Sequence, residues 1–291
     1  MNSLYESKLN LPLIHKGKVR DMYKINDDKL LIVTTDRLSA FDVILDEPIN
    51  QKGSVLTAVS NFWFAKTKHI IANHLLNDDL SSVLSEDEIA QVKNRAIIVK
   101  KLKPLPVEAI VRGYLIGSGW KDYQNTGKVC GIELVENLQL AQQLPEAIYT
   151  PSSKAEVGEH DENITFEQTI ELLGEDLANQ VKTVSLKLYN FAAEYALKKG
   201  IIIADTKFEF GLDEDNKLVI MDEVLTPDSS RFWAKDKYKI GSSPESFDKQ
   251  IVRDYLETCD WDKTHPAPQL PLEISERTTQ KYLEVQNILC D

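Results

Sequence analysis

Charged side chains occupy every second position along one stretch of the chain. Asp205, Lys207 and Glu209 follow the apolar run 201–203 at this spacing. Successive side chains of a β-strand point to opposite faces, so the three charges share one face. Carboxylate oxygens suit a hard cation such as Mg²⁺, which also binds phosphate oxygens. The pattern therefore predicts a strand that carries a charged site.

A second acidic strand follows in the sequence. The polar turn 213–216 precedes the apolar stretch 218–224, which carries Asp222 near its end. With a four-residue turn, Asp222 lies opposite Lys207 and diagonal to Glu209, within reach of a shared ion. The alternative interpretation is a salt-bridged face exposed to solvent.

A polar loop adds further charge directly after this hairpin. Residues 226–231 supply one carboxylate, Asp228, and one guanidinium, Arg231. A strand with acids at its end and an arginine in the next loop is typical of a nucleotide-phosphate site. This loop favours the functional interpretation over the solvated face.

Basic residues also line a predicted hairpin near the N-terminus. Residues 15–23 alternate, with Lys18 and Arg20 on one face and Gly17 allowing close approach of the backbone. This face can lie over ATP phosphates. Alternatively it is an ordinary edge hairpin with a solvated basic face.

Arg112 lies inside the apolar strand 108–116. A guanidinium among apolar residues is costly unless it is paired. Its partner is either an internal carboxylate such as Glu108 or a substrate phosphate, for which arginine offers two parallel hydrogen bonds. The loop 117–119 follows with free N–H groups that suit an anion.

Composition restricts the function further. The chain has 291 residues, 42% hydrophobic and 27% charged, with a net charge of −12, so a nucleic-acid partner is not expected. Three scattered cysteines show neither disulfide nor metal spacing, which favours a reducing compartment. The N-terminus lacks a signal-peptide pattern, and no apolar run approaches the ~18 residues of a membrane span. We expect a cytoplasmic protein with no membrane partner.

The periodicity predicts an α+β fold. Helices are expected over 52–74, over the amphipathic segment ending near residue 200, and over 274–289. Another helix begins after Ser246, its expected N-cap, and contains Lys249 and Arg253. Pro104 and Pro106 mark a boundary between a β-rich lobe, 1–103, and a larger mixed lobe, 104–291, with a cleft between them.

Six segments resemble, in order, the signature segments of the SAICAR synthetase family of purine biosynthesis. They are GKVRDMY (17–23), TTDRLSAFD (34–42), PLPVEAIVRGYLIGSGW (104–120), SSKAEVGEHDENI (152–164), ADTKFEFG (204–211) and MDEVLTPDSSRFW (221–233). The resemblance implies a two-lobed fold with a hairpin-led ATP-binding lobe. It implies a ligase that joins the carboxyaminoimidazole ribotide CAIR to L-aspartate, using ATP and Mg²⁺ and passing through an acyl phosphate. The chain is similar to the family's longer variety, which implies a monomer.

The same resemblance implies roles for individual residues. Those implied in catalysis are Lys207, Asp228 and Arg231. Those implied at ATP are Gly17, Lys18, Arg20, Glu209 and Asp222, of which Glu209 and Asp222 also hold Mg²⁺. Those implied at the other substrates are Ser39, Asp42, Arg112, Ser118, Lys154, Asp161, Arg231, Lys249 and Arg253.

Two other function classes remain open at this point. A small-molecule kinase would use a similar Mg-ATP cleft, although the H-R-D-x-x-x-x-N and D-F-G segments of protein kinases are absent. A non-catalytic nucleotide-binding module would need fewer aligned charges than this chain carries. Release of ADP that requires both CAIR and aspartate distinguishes the ligase from both.

Overall fold

The computed structural model describes residues 3–154 and 162–291. Its helices are α1 (Lys52–Thr67), α2 (Glu86–Val92), α3 (Gly117–Thr126), α4 (Phe166–Leu173), α5 (Glu175–Lys198), α6 (Gln250–Thr258) and α7 (Leu272–Cys290). Its strands are β1 (Leu13–Lys16), β2 (Arg20–Lys24), β3 (Lys29–Thr34), β4 (Ser39–Ala40), β5 (Val43–Ile44), β6 (Ala96–Lys100), β7 (Lys103–Pro104), β8 (Val107–Tyr114), β9 (Lys128–Val129), β10 (Ile132–Glu133), β11 (Gln143–Tyr149), β12 (Ser152–Ser153), β13 (Ile201–Leu212), β14 (Leu218–Met221) and β15 (Ser230–Ala234).

The first sheet is antiparallel and built from the N-terminal third of the chain. Its order is β1-β2-β3-β6. Strand β3 is buried because it is almost wholly apolar and lies between β2 and β6. The β1–β2 hairpin is the exposed edge, and all four residues of β1 are exposed. This hairpin carries the predicted nucleotide-binding residues 17–20.

The second sheet is organised around β13. Strand β8 pairs with β13 on one side, with β11 and β12 beyond it, and β14, β15 and β7 also pair with β13. Helix α5 covers one face because its apolar stripe is buried against the sheet. Helix α1, from the N-terminal third, also packs in this core, beside α7. The mixed helix and sheet content confirms the predicted α+β class, while the division into lobes at residue 103 stays a prediction.

Several predicted boundaries differ from the structure. Helix α1 ends at Thr67 rather than at residue 74. Ser246 is not the N-cap of α6; instead, Asp248 Oδ1 accepts the Gln250 N–H at 2.7 Å. Residues 117–119, predicted as a loop, begin helix α3. Within the described residues, no helix is long and apolar enough to cross a membrane.

Candidate active site

The polar face of β13 carries a row of ion pairs. Asp205, Lys207 and Glu209 all engage charged partners, whereas Phe208 and Phe210 lie buried in the core on the other face. Alternation along a strand produces this division, as predicted. At ~3.3 Å per residue, Asp205 and Glu209 lie ~13 Å apart along the strand. One strand face therefore carries two charged centres, with Lys207 between them.

The first centre is the Asp205 end of this face, where two guanidinium groups meet one carboxylate. Arg112 Nη1 lies 2.8 Å and Arg231 Nη1 2.5 Å from Asp205 Oδ2. Arg112 also donates to Thr150 Oγ1 at 3.0 Å and to Ser118 Oγ at 2.8 Å. The internal partner of Arg112 is thus Asp205, since β8 and β13 pair directly at these two positions. The internal carboxylate that was one of the two predicted alternatives is therefore present, but it is Asp205 and not Glu108.

Two glycines at the start of α3 allow the guanidiniums to lie against this helix. A Cβ at Gly117 would lie 2.5 Å from Arg231 Nη2, and one at Gly119 would lie 3.0 Å from Arg112 Cδ. Helix α3 has ten residues, and its N-terminal N–H groups and dipole favour an anion. Two guanidiniums that share one carboxylate retain net positive charge. The arrangement suits a phosphate group.

The second centre is the Glu209 end of the face. Lys207 Nζ lies 2.5 Å from Glu108 Oε1 and 3.2 Å from Glu209 Oε1. Lys154 Nζ lies 2.6 Å from Glu209 Oε2. Burial disfavours the charged form of Lys207, but the negative charges of Glu209 and Glu108 have a larger effect and raise the pKa of Lys207. Burial is likewise outweighed at Glu209, where Lys207 and Lys154 lower the pKa to about 2. Both groups are therefore charged at neutral pH.

The N-terminal hairpin reaches this centre through Arg20. Its guanidinium pairs with Asp222 at 2.5 Å and with Glu223 at 2.9 Å, and all three side chains are largely buried. Burial raises the pKa of Asp222 to about 6 against the effect of Arg20, and Glu209 and Glu223 add to the rise. Negative charge is therefore crowded around Asp222.

The hairpin register differs from the prediction by one residue. Glu209 pairs with Met221 and Leu212 with Leu218, so Asp222 does not lie opposite Lys207. The turn has an extra residue because Asp213 Oδ1 accepts the backbone N–H groups of Asp215 and Lys217. Such hydrogen bonds are not visible in a pattern of polar residues.

Asp222 nevertheless does not enter the apolar face. Continuing the ladder would put it opposite Phe208, on the apolar face. Its φ of 67° turns it out of the strand instead, and its carboxylate meets Arg20. A non-glycine residue in this conformation costs of order 1 kcal/mol or more and is enriched at functional sites.

Asp228 lies at the centre of a buried cluster that sequence reasoning missed. Lys52 Nζ, which is wholly buried, lies 2.7 Å from Asp228 Oδ2, and Tyr282 donates its hydroxyl proton to Asp228 Oδ1 at 2.7 Å. Lys249 Nζ lies 3.9 Å from the same Oδ2. Burial opposes ionisation, but Lys249 and Lys52 lower the pKa of Asp228, so its carboxylate stays ionised. Lys52 and Tyr282 lie in the predicted helices 52–74 and 274–289, and nothing in the sequence marked either as a site residue.

The remaining predicted residues are placed as follows. Lys249 and Arg253 line a polar pocket that Asp205, Asp228, Arg231 and Asp248 also line. Ser39 is buried in β4, and the adjacent Leu38 and Ala40 belong to the same apolar cluster as Val252 and Leu256 of α6. Lys18 and Asp42 form an exposed ion pair at 2.5 Å. A Cβ at Gly17 would lie 3.2 Å from Arg20 O, so the glycine relieves crowding within its own turn. Asp161 lies outside the described residues.

In the part of the chain that the structure describes, no group of three or more His, Cys, Asp or Glu side chains could hold a metal by itself. A metal at Glu209 and Asp222 would need further oxygen ligands besides these two described side chains, and phosphate and water can supply them.

Comparison with known proteins decides the family. A family model described as SAICAR synthetase matches residues 13–268. The chain belongs to the SAICAR synthetase family. A phosphoribosylaminoimidazole-succinocarboxamide synthase from Thioalkalivibrio sulfidiphilus is 61% identical over 276 residues, covering 94% of this chain and 93% of that relative. One from Neisseria meningitidis serogroup B is 57% identical, covering 97% and 99%.

Solved structures agree with this assignment. The SAICAR synthase from Saccharomyces cerevisiae, solved in complex with SAICAR, has a TM-score of 0.91 and 44% identity, covering 99% of this chain and 98% of that one. A SAICAR synthetase solved in complex with ADP has a TM-score of 0.71 and 25% identity, covering 94% and 96%. SAICAR synthetases condense CAIR with L-aspartate at the expense of ATP in purine biosynthesis, and this is the activity of the chain. The kinase and binding-module alternatives are set aside.

Proposed function

We propose that the substrates of this ligase lie along the polar face of β13, with the CAIR phosphate at the Asp205 end and the ATP phosphates at the Glu209 end. The observation that carries the proposal is the pair of charged centres on one strand face, with Lys207 between them. Their ~13 Å separation can accommodate a ribotide and a phosphate chain that meet near Lys207.

The CAIR phosphate is assigned to Arg112, Arg231, Ser118 and the N-terminus of α3. These groups surround a region of net positive charge in a chain whose net charge is −12. Such a chain must build its anion site locally. The complex of the Saccharomyces cerevisiae relative with SAICAR supports a ribotide site in this fold.

ATP is assigned to the cleft side of the N-terminal hairpin, with its phosphates near Gly17, Lys18 and Arg20. The ADP complex of a relative supports nucleotide binding in this fold. Glu209 and Asp222 fit a Mg²⁺ site because both are carboxylates close to Arg20 and their negative charge is crowded. Mg²⁺ bound there would neutralise charge on the transferring phosphoryl group. Arg20 would exchange part of its pairing with Asp222 for phosphate oxygens.

Lys207 is assigned to the point of phosphoryl transfer. Its raised pKa keeps it protonated, so it can neutralise the γ-phosphoryl group as this moves from ATP to the CAIR carboxylate oxygen. The product is an acyl phosphate and ADP. The aspartate amine then forms the new C–N bond to the acyl carbon, and inorganic phosphate leaves with the electrons of the broken C–O bond.

Aspartate and the rest of CAIR are assigned to the polar pocket beside this point. Asp228 and Arg231 hold the reacting groups in place there, and Lys249 and Arg253 supply positive charge for carboxylate or phosphate oxygens. The remaining substrate residues in this proposal are Ser39, Asp42, Lys154 and Asp161.

We further propose two lobes that meet at residue 103, a monomer, and a cytoplasmic location. The resemblance to the family's longer variety supports the monomer. Light scattering of the protein eluted from a size-exclusion column should give a molecular mass close to 33.0 kDa, the mass of one chain.

The decisive experiment measures ADP release with each substrate omitted in turn. We expect continued ADP release, beyond one ADP per enzyme, only when CAIR, aspartate and Mg-ATP are all present, with one SAICAR formed per ADP. Lys207→Met should abolish product formation, while CAIR still raises its melting temperature by about as much as it raises that of the wild type. Product formation by Lys207→Met at the wild-type rate would overturn the assignment of Lys207.

A further inference from the structure

Arg37 is a buried arginine that none of the proposed substrate contacts uses. Only 1% of its surface is exposed. Its Nη2 pairs with Asp21 Oδ1 at 2.7 Å, and its Nη1 donates to Tyr5 O at 2.7 Å. The ion pair with Asp21 by itself balances the charge of the Arg37 guanidinium. The other N–H groups of Arg37 are therefore not needed for charge balance.

Those donors hold the turn of the N-terminal hairpin. Arg37 Nη2 donates to Gly17 O at 3.0 Å, and Nε donates to Lys18 O at 3.1 Å. The next carbonyl, Val19 O, accepts from the backbone N–H of Thr35 at 2.9 Å and from its hydroxyl at 2.8 Å. Three consecutive carbonyls of the turn are therefore fixed by buried donors.

This arrangement determines the direction of two backbone N–H groups. In a planar trans peptide the C=O and N–H bonds point in opposite directions. Because Gly17 O and Lys18 O both point to Arg37, the N–H groups of Lys18 and Val19 point away from it. Among the described residues no acceptor takes either N–H group.

The side to which they point is the side of the cleft. Arg37 reaches the turn from the face of β2 that carries Asp21. Arg20 lies on the opposite face by strand alternation, and its guanidinium meets Asp222 across the cleft. Two successive N–H groups beside Lys18 and Arg20 form an anion-binding concavity.

We propose that Arg37 is a positioning residue for nucleotide binding, which turns the Lys18 and Val19 N–H groups toward the phosphates of a nucleoside triphosphate. The inference rests on the proposed placement of ATP at this hairpin. It adds that the backbone of the turn binds phosphate together with the side chains of Lys18 and Arg20. It also adds that Arg37, which lies outside the cleft, orients that backbone.

Arg37→Lys tests this role because it keeps a cation beside Asp21 and loses the planar group that spans two carbonyls. We expect the KM for ATP to rise about tenfold, the cost of losing a prearranged phosphate contact. The KM for CAIR should stay within about twofold, since the Asp205 end of the site is untouched. The shift in melting temperature caused by Mg-ATP should also shrink, by an amount that follows the logarithm of the lost affinity.

Ser7→Ala is the matched control. Ser7 donates its hydroxyl to Asp21 Oδ2 at 2.6 Å, so this variant weakens the same buried cluster without touching the turn carbonyls. It should lower the melting temperature and leave both KM values unchanged. If Ser7→Ala raises the ATP KM as much as Arg37→Lys does, the effect is general loosening and the proposal is wrong.

A measurement on the wild type keeps the proposal testable if Arg37→Lys does not fold. Amide hydrogen exchange followed by NMR should show Lys18 and Val19 exchanging fast without nucleotide and slowly with saturating Mg-ATP. Unchanged exchange at both amides, in a protein whose melting temperature does rise with Mg-ATP, would refute the role of the turn. If exchange is unchanged along the whole stretch 15–23 in such a protein, ATP binds elsewhere and the placement of ATP itself fails instead.

Discussion

Asp205→Asn separates a phosphate site from a purely structural ion pair. The substitution removes the carboxylate that Arg112 and Arg231 share, with Nη1 to Oδ2 distances of 2.8 and 2.5 Å. Loss of one partner of a buried ion pair costs about 3–5 kcal/mol. For a chain of this size that corresponds to a fall in melting temperature of about 10 °C.

The response to CAIR distinguishes the two interpretations. Arg112 keeps its hydrogen bonds to Thr150 and Ser118, so it stays near its present position. In the wild type, the Asp205 carboxylate repels a phosphate charge about 6 Å away by about 3 kcal/mol at an effective dielectric constant of ~20. Asp205→Asn removes this repulsion. We expect this gain to exceed the cost of looser positioning, because Arg112 keeps two other hydrogen bonds. CAIR should therefore raise the melting temperature more in Asp205→Asn than in the wild type.

The assay is thermal unfolding with and without saturating CAIR, in the absence of ATP and aspartate. Asp21→Asn is the control, because Asp21 pairs with a buried arginine, Arg37, at a similar distance of 2.7 Å and is not part of the Asp205 end of the site. It should lose comparable stability with no change in the CAIR response. An Asp205→Asn variant whose CAIR response is equal to or smaller than that of the wild type would refute the reasoning.

Three further outcomes follow from the same geometry. Glu209→Gln and Asp222→Asn should each abolish Mg²⁺-dependent ADP release while the protein stays folded. Wild-type ADP release by either variant at the same Mg²⁺ concentration would rule out its role as a ligand. Arg112→Lys should raise the CAIR KM more than the ATP KM, by about 1–3 kcal/mol of binding energy, and equal effects on both would favour a structural role. Tyr282→Phe removes the 2.7 Å hydrogen bond to Asp228, so it should cost about 1.5–3 kcal/mol of stability and also lower kcat; a stability loss at unchanged kcat would mean that Asp228 is held adequately by Lys52 alone.

Local patterns predicted the parts of the site that depend on a single element. Alternation along β13 placed Asp205, Lys207 and Glu209 on one face, because the side-chain period of a strand is a property of the backbone. The amphipathic period of α5 predicted a covering helix for the same reason. An arginine among apolar residues signalled that Arg112 needed a buried partner. The resemblance to known segments then supplied the reaction.

Local patterns could not predict which residue each buried charge would pair with. Arg112 meets Asp205, 93 positions later in the chain, because β8 and β13 lie side by side. Glu108 lies closer in sequence to Arg112 but pairs with Lys207. Strand order decides such contacts, and it depends on how the whole core packs.

The sequence by itself determined which charges share a strand face, where an unpaired arginine would be too costly, and which family the chain resembles. These follow from backbone periodicity, desolvation and segment order, all of which act within a short window. Only the tertiary structure decided that Lys52 is buried against Asp228, that Arg37 holds the turn at residues 17–19, and that Asp222 leaves its strand with a positive φ. Each of these depends on groups brought together across distant parts of the chain or on a turn set by side-chain hydrogen bonds. No local pattern encodes them, because the free energy of a buried polar group depends on its partner and not on its neighbours in sequence.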